Sequence, residues 1–346
     1  LAAEIIIDND DLNLLSSSAT FFDASVNDMS VNINPLGAKK HTIIVDTKIS
    51  GHTTDIANFI KQSPLNKQQA FRALTENITG GMNLKLGLNI PIGFGKTTLD
   101  GLISFTDTTI ESDLPGLALE KVNGDVHFTH EASWASDIDA LYHGSPVKLA
   151  IPKIDQHKSD YKPYVISGVA DKEFFISEFS SFFPTLNDSS QTYSNKLSGK
   201  TNWSLTLRNP KDSSGAKEIV FNTDLKGMSV DLPYPFGKSA NDSSPFFIKT
   251  NLNKLLIENI NISYNNIYAD FNIDNKEDLT VKNILIGLGK PHPVIETSDK
   301  ISIQGELEEF SAEEGGWIEY LTTRKQALPI LTRTKIQLAP MFLSRS

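Results

Sequence analysis

The strongest constraint in this chain is a period of two. Leu84, Leu86, Leu88 and Ile90 alternate with Asn83, Lys85, Gly87 and Asn89. Trp203, Leu205 and Leu207 alternate with Ser204, Thr206 and Arg208. Ile260, Ile262 and Tyr264 alternate with Asn259, Asn261, Ser263 and Asn265, and Ile267, Ala269, Phe271 and Ile273 follow. Successive side chains of a strand point to opposite faces, so these segments are strands with one apolar and one wet face. Such strands pair antiparallel, because parallel sheets are covered on both faces and read as unbroken apolar runs. Turn residues recur at roughly 8–12 positions, giving roughly 18–20 strand candidates in a meandering all-β chain.

Helical spacing is rare. Thr54 to Lys61 carries Ile56, Phe59 and Ile60 behind the caps Thr54 and Asp55. Lys67 to Asn77 carries Ala70, Phe71 and Leu74 and stops before Gly80-Gly81. Lys172 to Phe183 places Phe175, Phe179 and Phe182 three to four residues apart. Ala312 to Ala327 follows the capping pattern Ser311-x-x-Glu314.

Composition narrows the function. The 346 residues carry a net charge of −10, which argues against a nucleic-acid footprint and against attraction to an anionic membrane face. The chain has no cysteine, so disulfides, thiolate metal sites and Cys nucleophiles are excluded. Its absence fits an oxidising compartment. No apolar run reaches the ~18–20 residues that span a bilayer. The chain opens on Leu1 without a signal pattern. This reads as one continuous segment, 1–346, of a longer protein whose anchor lies elsewhere; a break, if any, falls near 185–195.

The catalytic motifs fail one by one. Gly93-Phe94-Gly95-Lys96-Thr97-Thr98 imitates a phosphate loop, but Ile90 stands where the first glycine is required and a strand follows instead of a helix. A hairpin turn is the better reading. His127 and His130 differ by an odd number, so on a strand they face opposite sides and do not share a metal; His143 is the next nearest. No Gly-x-Ser-x-Gly or His-Glu-x-x-His occurs. Glu308-Glu309 and Glu313-Glu314 read as a solvated helix start, and a glycosidase pair would come from distant positions. We expect no enzyme, no cofactor and no metal.

A short phrase recurs: an apolar residue, one other residue, then glycine. It appears at Leu99-Asp100-Gly101, Val122-Asn123-Gly124, Ile166-Ser167-Gly168, Leu197-Ser198-Gly199 and Ile303-Gln304-Gly305. The spacing is irregular, so this is not a solenoid repeat. A glycine inside an alternating strand marks a bulge or bend, and repeated bends would curl a long sheet into a trough.

Several phrases resemble the AsmA-like family of Gram-negative envelope proteins, specifically its YhdP branch. Asp224-Leu225-Lys226-Gly227-Met228-Ser229-Val230-Asp231-Leu232-Pro233-Tyr234-Pro235-Phe236-Gly237-Lys238 is similar to that branch's Asp-Leu-Lys-Gly … Pro-x-Pro-x-Gly-Lys phrase. Leu197 to Trp203, Leu86 to Ile92, Leu119 to Phe128, Ser63-Pro64-Leu65 and Gly305-Glu306-Leu307 with Trp317 also resemble its strands and turns. These phrases span roughly residues 20 to 320. The family's N-terminal transmembrane helix has no counterpart here. The resemblance implies an extended, twisted antiparallel sheet curled into an apolar groove. It also implies a periplasmic segment that carries phospholipids between inner and outer membranes, without catalytic residues and with protein partners unspecified.

Physics shows why such a groove is useful. Two acyl chains hold about 30 CH₂ groups at roughly 0.8 kcal/mol each, so leaving a membrane for water costs on the order of 25 kcal/mol. One continuous sheet of these strands, at about 4.8 Å per strand, would be on the order of 90 Å long. Its apolar lining would include Leu84, Leu86, Leu88, Ile90, Ile103, Phe105, Val126, Phe128, Trp203, Leu205, Leu207, Ile260, Ile262, Phe271 and Ile273. Each equally suits packing against a helix or a second sheet. Alternation alone is equally consistent with a compact β-sandwich acting as an adhesin or carbohydrate-binding module. Pro233 and Pro235 read as strand-ending residues before they read as a lipid-contacting loop.

Overall fold

In the computed structural model, the structure describes residues 2–21, 24–36, 41–62, 77–111, 117–153, 161–182, 195–210, 215–253, 256–274, 280–289 and 301–305. They form 18 strands and two helices. The chain is therefore mainly β. It divides into two compact units, Leu1–Ile166 and Ser167–Ser346, with the division inside β10 (Tyr161–Asp171). The stretch 185–194 lies outside the described residues.

The first unit is an antiparallel meander. Strands β1 (Ala2–Asp8), β2 (Asp11–Phe21), β3 (Ala24–Asn34) and β4 (His41–His52) pair in sequence. Helix α1 (Thr53–Gln62) follows. The meander resumes with β5 (Ile78–Ile92), β6 (Thr98–Glu111), β7 (Ala118–Thr129), β8 (Ser133–Tyr142) and β9 (Ser145–Ile151). Among the described residues no pairing closes this sheet on itself.

Helix α1 forms where the sequence stops alternating. Thr53, Ile56, Ala57 and Ile60 recur every three to four residues and are the helix's buried side chains. Thr53 Oγ1 donates to Ile78 O at 2.9 Å, which ties the helix start to β5. Asp55 in the first turn and Lys61 in the last complement the helix dipole. The helix packs on β3, β4 and β5.

The second unit contains α2 (Lys172–Phe182), β11 (Leu197–Pro210), β12 (Lys217–Thr223), β13 (Met228–Val230), β14 (Phe246–Asn253), β15 (Leu256–Tyr264), β16 (Ile267–Asp274), β17 (Thr280–Leu288) and β18 (Ile301–Gly305). Asp171 caps α2, its carboxylate accepting from the Phe174 amide at 3.1 Å. Strands β12 and β13 lie along one edge of β11, separated by the bulge at Asp224–Gly227. From β12 the ladder continues antiparallel through β14, β15, β16 and β17; β18 then adds in parallel.

The expected helix at Lys172–Phe183 is present over Lys172–Phe182, with Phe183 outside the described residues, and the one at Thr54–Lys61 is one residue longer at each end. The expected helices at Lys67–Asn77 and Ala312–Ala327 lie outside the described residues, apart from Asn77. The phosphate-loop mimic is a hairpin turn: Gly93 to Gly95 bend between β5 and β6, and Phe94 is 84% exposed.

Candidate functional site

The register of the first unit lines apolar side chains into rows that cross the strands. One row runs Ile7, Leu12, Ile33, Ile43, Ile90. The next runs Ile5, Leu14, Val31, Val45, Leu88, Leu99. A third contains Thr47, Leu86, Gly101, Phe128 and Ser133. A fourth contains Val26, Ile49, Leu84, Ile103 and Val126, and a fifth Gly51, Met82, Phe105 and Gly124. Bulges in β3 and β6 correct the parity where the two strands of a pair differ in residue count. All eight sequence candidates of this unit, Leu84, Leu86, Leu88, Ile90, Ile103, Phe105, Val126 and Phe128, share this one face.

Burial splits that face in two. Beneath and beside α1 it is dry: Ile49 and Leu84 are 1% exposed, and Ile56, Ile60, Met82, Ile103 and Phe105 are buried. Away from α1 the same face is half-open. Leu12, Leu14, Val31, Ile33, Ile43, Val45, Leu88 and Ile90 are all half-buried. At β1, Ile5 and Ile7 are 61% and 62% exposed. The Ile5-to-Leu99 row crosses six strands, roughly 24 Å, against the ~15 Å depth of one leaflet's hydrocarbon.

The second unit repeats the arrangement with larger side chains. One row runs Trp203, Thr223, Phe246, Tyr264, Ile267, Leu288. Its neighbours run Leu205, Phe221, Ile248, Ile262, Ala269, Ile286 and Leu207, Ile219, Thr250, Ile260, Phe271, Ile284. Ile273 sits past a bulge, opposite Val281. The seven candidates of this unit therefore also share one face. Trp203 and Ile260 are buried; Leu205, Leu207, Ile262, Phe271 and Ile273 are half-buried. Phe174 of α2 stacks on Trp203 at 4.9 Å, Trp203 on Phe221 at 5.9 Å, and Phe175 meets Phe221 edge-on at 6.2 Å.

In β1, β2 and β4 alternation alone gives no phase. There Ile5-Ile6-Ile7 and Ile43-Ile44-Val45 are unbroken apolar runs, and Leu14-Leu15 breaks the phase. Only the register shows which member of each run shares the face of Leu88. Phe246 and Ile248 were hidden the same way by Phe246-Phe247-Ile248.

The polar face of the first unit has a cavity of about 530 Å³, lined by Asp28, Asp46, Lys48, Lys85, Asp100, Leu102, His127 and Trp134 among others. Asp46 and Asp100 flank Gly87, whose missing side chain leaves room for both carboxylates. Both are exposed. His127 stacks on Trp134 at 5.6 Å, and Lys153 Nζ lies 3.9 Å from the Trp134 ring centre. Among the described residues no three His, Asp or Glu side chains converge as a metal site.

The Pro-x-Pro segment is a folded loop. Val230 and Lys238 bridge across it, and the Phe236 and Gly237 amides donate to Pro233 O at 3.1 and 3.3 Å. Lys238 Nζ donates to Leu225 O, Met228 O and Ser239 O at 2.9, 2.5 and 2.7 Å, closing the bulge between β12 and β13. Burial pulls this ammonium below its ordinary range, against the opposing charges of Asp242 and Asp224. Tyr264 donates to Phe236 O at 2.8 Å from the apolar face side of β15, and burial pushes its phenol up. These hydrogen bonds hold the loop closed.

Among the described residues no helix is long and apolar enough to cross a membrane. No curated protein and no solved structure gives a significant match. The family described as YhdP protein matches residues 1–343, nearly the whole length of this mainly β chain. The chain belongs to the YhdP family.

Proposed function

We propose that this chain is a periplasmic segment of a cell-envelope protein that carries phospholipids along an apolar groove between inner and outer membranes. It works by burial rather than by catalysis, needs no cofactor, and reaches the two membranes through parts of the protein outside this chain. The observation that supports this best is the pair of half-open aliphatic rows crossing β1 to β5. They are unbroken by charge and continuous from strand to strand. In a molecule with a net charge of −10, the charged side chains are kept on the opposite face.

A carrier of this kind holds acyl chains by shape and apolarity. An acyl chain laid on the rows exchanges water for Leu, Ile and Val side chains, at about 0.8 kcal/mol per CH₂ buried. The head group stays in solvent. Selectivity among head groups is then low.

The test is native mass spectrometry of protein purified in mild detergent, with extraction and identification of bound lipid, for the wild type and Leu88→Asp. Leu88 is half-buried inside a six-strand row, between Val45 and Leu99, so a carboxylate fits there without breaking the ladder. The wild type should carry phospholipid. The variant should lose most of it, by tenfold or more, because the acyl chain would have to desolvate a charge. A folded Leu88→Asp chain that retains its lipid, or a wild type that refuses lipid, would overturn the proposal.

A further inference from the structure

Six threonines are buried among the described residues: Thr47, Thr53, Thr108, Thr201, Thr223 and Thr250. Five have a partner for the hydroxyl. Thr53, Thr108, Thr223 and Thr250 donate to the carbonyls of Ile78, Gly81, Asn202 and Asn259 at 2.9, 2.8, 2.6 and 2.7 Å. Thr201 Oγ1 meets Thr223 Oγ1 at 3.1 Å. Thr47 is 9% exposed, and its hydroxyl has no partner. A buried hydroxyl left unpaired is unfavourable where a valine of the same shape would not be.

Its place in the sheet gives that hydroxyl a use. Along the apolar face of β4 the order is Val45, Thr47, Ile49. Ile49 belongs to the dry floor beside α1, whereas Val45 belongs to the half-open row with Leu88. Opposite Thr47 is Leu86, also buried. Thr47 is thus the one unpaired donor at the boundary where the open aliphatic strip runs up against the closed floor.

We propose that Thr47 Oγ1 donates a hydrogen bond to the acyl carbonyl oxygen at the head of a bound alkyl chain, with the chain lying along Val45 and Leu88. This rests on the lipid-carriage reading and adds to it a fixed point. The site recognises the carbonyl of an ester or of a fatty acid's carboxyl group. It would set where along the strip the polar end of the lipid stops.

The experiment measures equilibrium binding of three fluorescent probes of equal chain length to the full chain. They are a diacyl phosphatidylglycerol labelled on one acyl chain, a labelled fatty acid, and a labelled alkane. Wild type, Thr47→Val and Thr47→Ser are compared. Thr47→Val should weaken binding of at least one carbonyl-bearing probe by about three- to tenfold. It should leave the alkane within about twofold, and its thermal midpoint should equal or exceed that of the wild type. Thr47→Ser should bind the same probe within about threefold of the wild type. Loss confined to the diacyl probe identifies the ester; loss confined to the fatty acid identifies the carboxyl group. Equal binding of all probes by Thr47→Val and wild type would overturn the proposal while leaving lipid carriage standing. So would a loss that includes the alkane. If the wild type bound none of the three, the carriage reading would fail and this inference with it.

Discussion

The segment β4–α1–β5–β6 of the first unit has a counterpart in β10–α2–β11–β12. Ile49-Ser50-Gly51 leads into α1, and Ile166-Ser167-Gly168 leads towards α2. The strand after each helix opens alike, as Ile78-Thr79-Gly80 and Leu197-Ser198-Gly199. Both glycines have positive φ, +127° and +97°, and an added Cβ would meet neighbouring backbone, Thr108 Cα of β6 in one case and Gly227 O in the turn before β13 in the other. The hairpins then match pair by pair. Leu84–Ile103, Leu86–Gly101, Leu88–Leu99 and Asn89–Thr98 correspond to Trp203–Thr223, Leu205–Phe221, Leu207–Ile219 and Arg208–Glu218. One frame is thus filled in two ways. In the first unit Gly101 leaves a hole that the Phe128 ring of β7 fills; in the second, Phe221 fills its own position and β14 supplies Ile248. The backbone rule is shared, while the identity of the ring-bearing strand is free.

The largest effect should come from emptying equivalent positions. Trp203→Ala removes a buried ring stacked on Phe174 and Phe221 and should cost about 3–5 kcal/mol. Leu84→Ala, at the matching place beside α1, should cost about 2–5 kcal/mol, because the fixed helix cannot collapse into the gap. Urea unfolding gives the totals. Hydrogen exchange assigns them: protection should fall in β11, β12 and α2 for Trp203→Ala, and in α1, β4 and β5 for Leu84→Ala. If Trp203→Ala cost under 1 kcal/mol, the ring would not be part of a packed frame and the correspondence with Leu84 would be superficial.

This comparison also shows how much the sequence discloses. Alternation marked β5, β6, β11, β15 and β16 correctly, because polar residues hold one face of each while apolar ones hold the other. Helix α1 was legible from Ile56 and Ile60. The apolar-x-Gly phrase was visible, but not its meaning: Gly124, Gly199 and Gly305 have positive φ, whereas Gly101 is a space for a neighbour's ring. Gly80 belongs to the same set and was hidden by Gly81 beside it. The half-open rows were legible only in part. Runs such as Ile5-Ile6-Ile7 give no phase, and exposure depends on where α1 lands, which is a tertiary fact. Thr47 carries no local signal at all, since a threonine in a strand is ordinary and only its unpaired hydroxyl is not.

The exchange of a ring for a glycine predicts a coupling that can be measured. A Cβ at Gly101 would lie 2.4 Å from Phe128 Cζ and 2.2 Å from Lys85 O. Gly101→Ala should therefore destabilise by about 1–3 kcal/mol through overpacking. In a Phe128→Ala background the same substitution should cost at least about 1 kcal/mol less, because half of the clash is gone. Additive costs at Gly101 and Phe128 would show that the ring does not fill the glycine's place.

The smallest effect separates the wet faces. Asn89–Thr98 in the first unit is neutral, whereas Arg208–Glu218 is charged, and Lys249 adds a second cation at 2.5 Å from Glu218. Burial pushes the Glu218 carboxyl up, but hydrogen bonds from Lys249 and Arg208 outweigh it, and the group is held below its ordinary range. A carboxyl lowered by folding stabilises at pH values above its unfolded range, and that contribution is lost as pH falls through the folded value. Glu218 is 16% exposed but its partners are 46% and 36% exposed, so the gain is modest. Glu218→Gln should cost about 1 kcal/mol at neutral pH, and the cost should vanish as pH falls through the lowered folded range of the carboxyl, in urea titrations at low salt. Adding about 1 M salt should erase most of the difference at pH 7, since the partners are solvated. The pair Asn89→Arg with Thr98→Glu should gain at most about 0.5 kcal/mol, having no third charge to complete a network. A gain as large as the loss at Glu218 would mean that the two wet faces are electrostatically equivalent after all, and that Lys249 is a bystander.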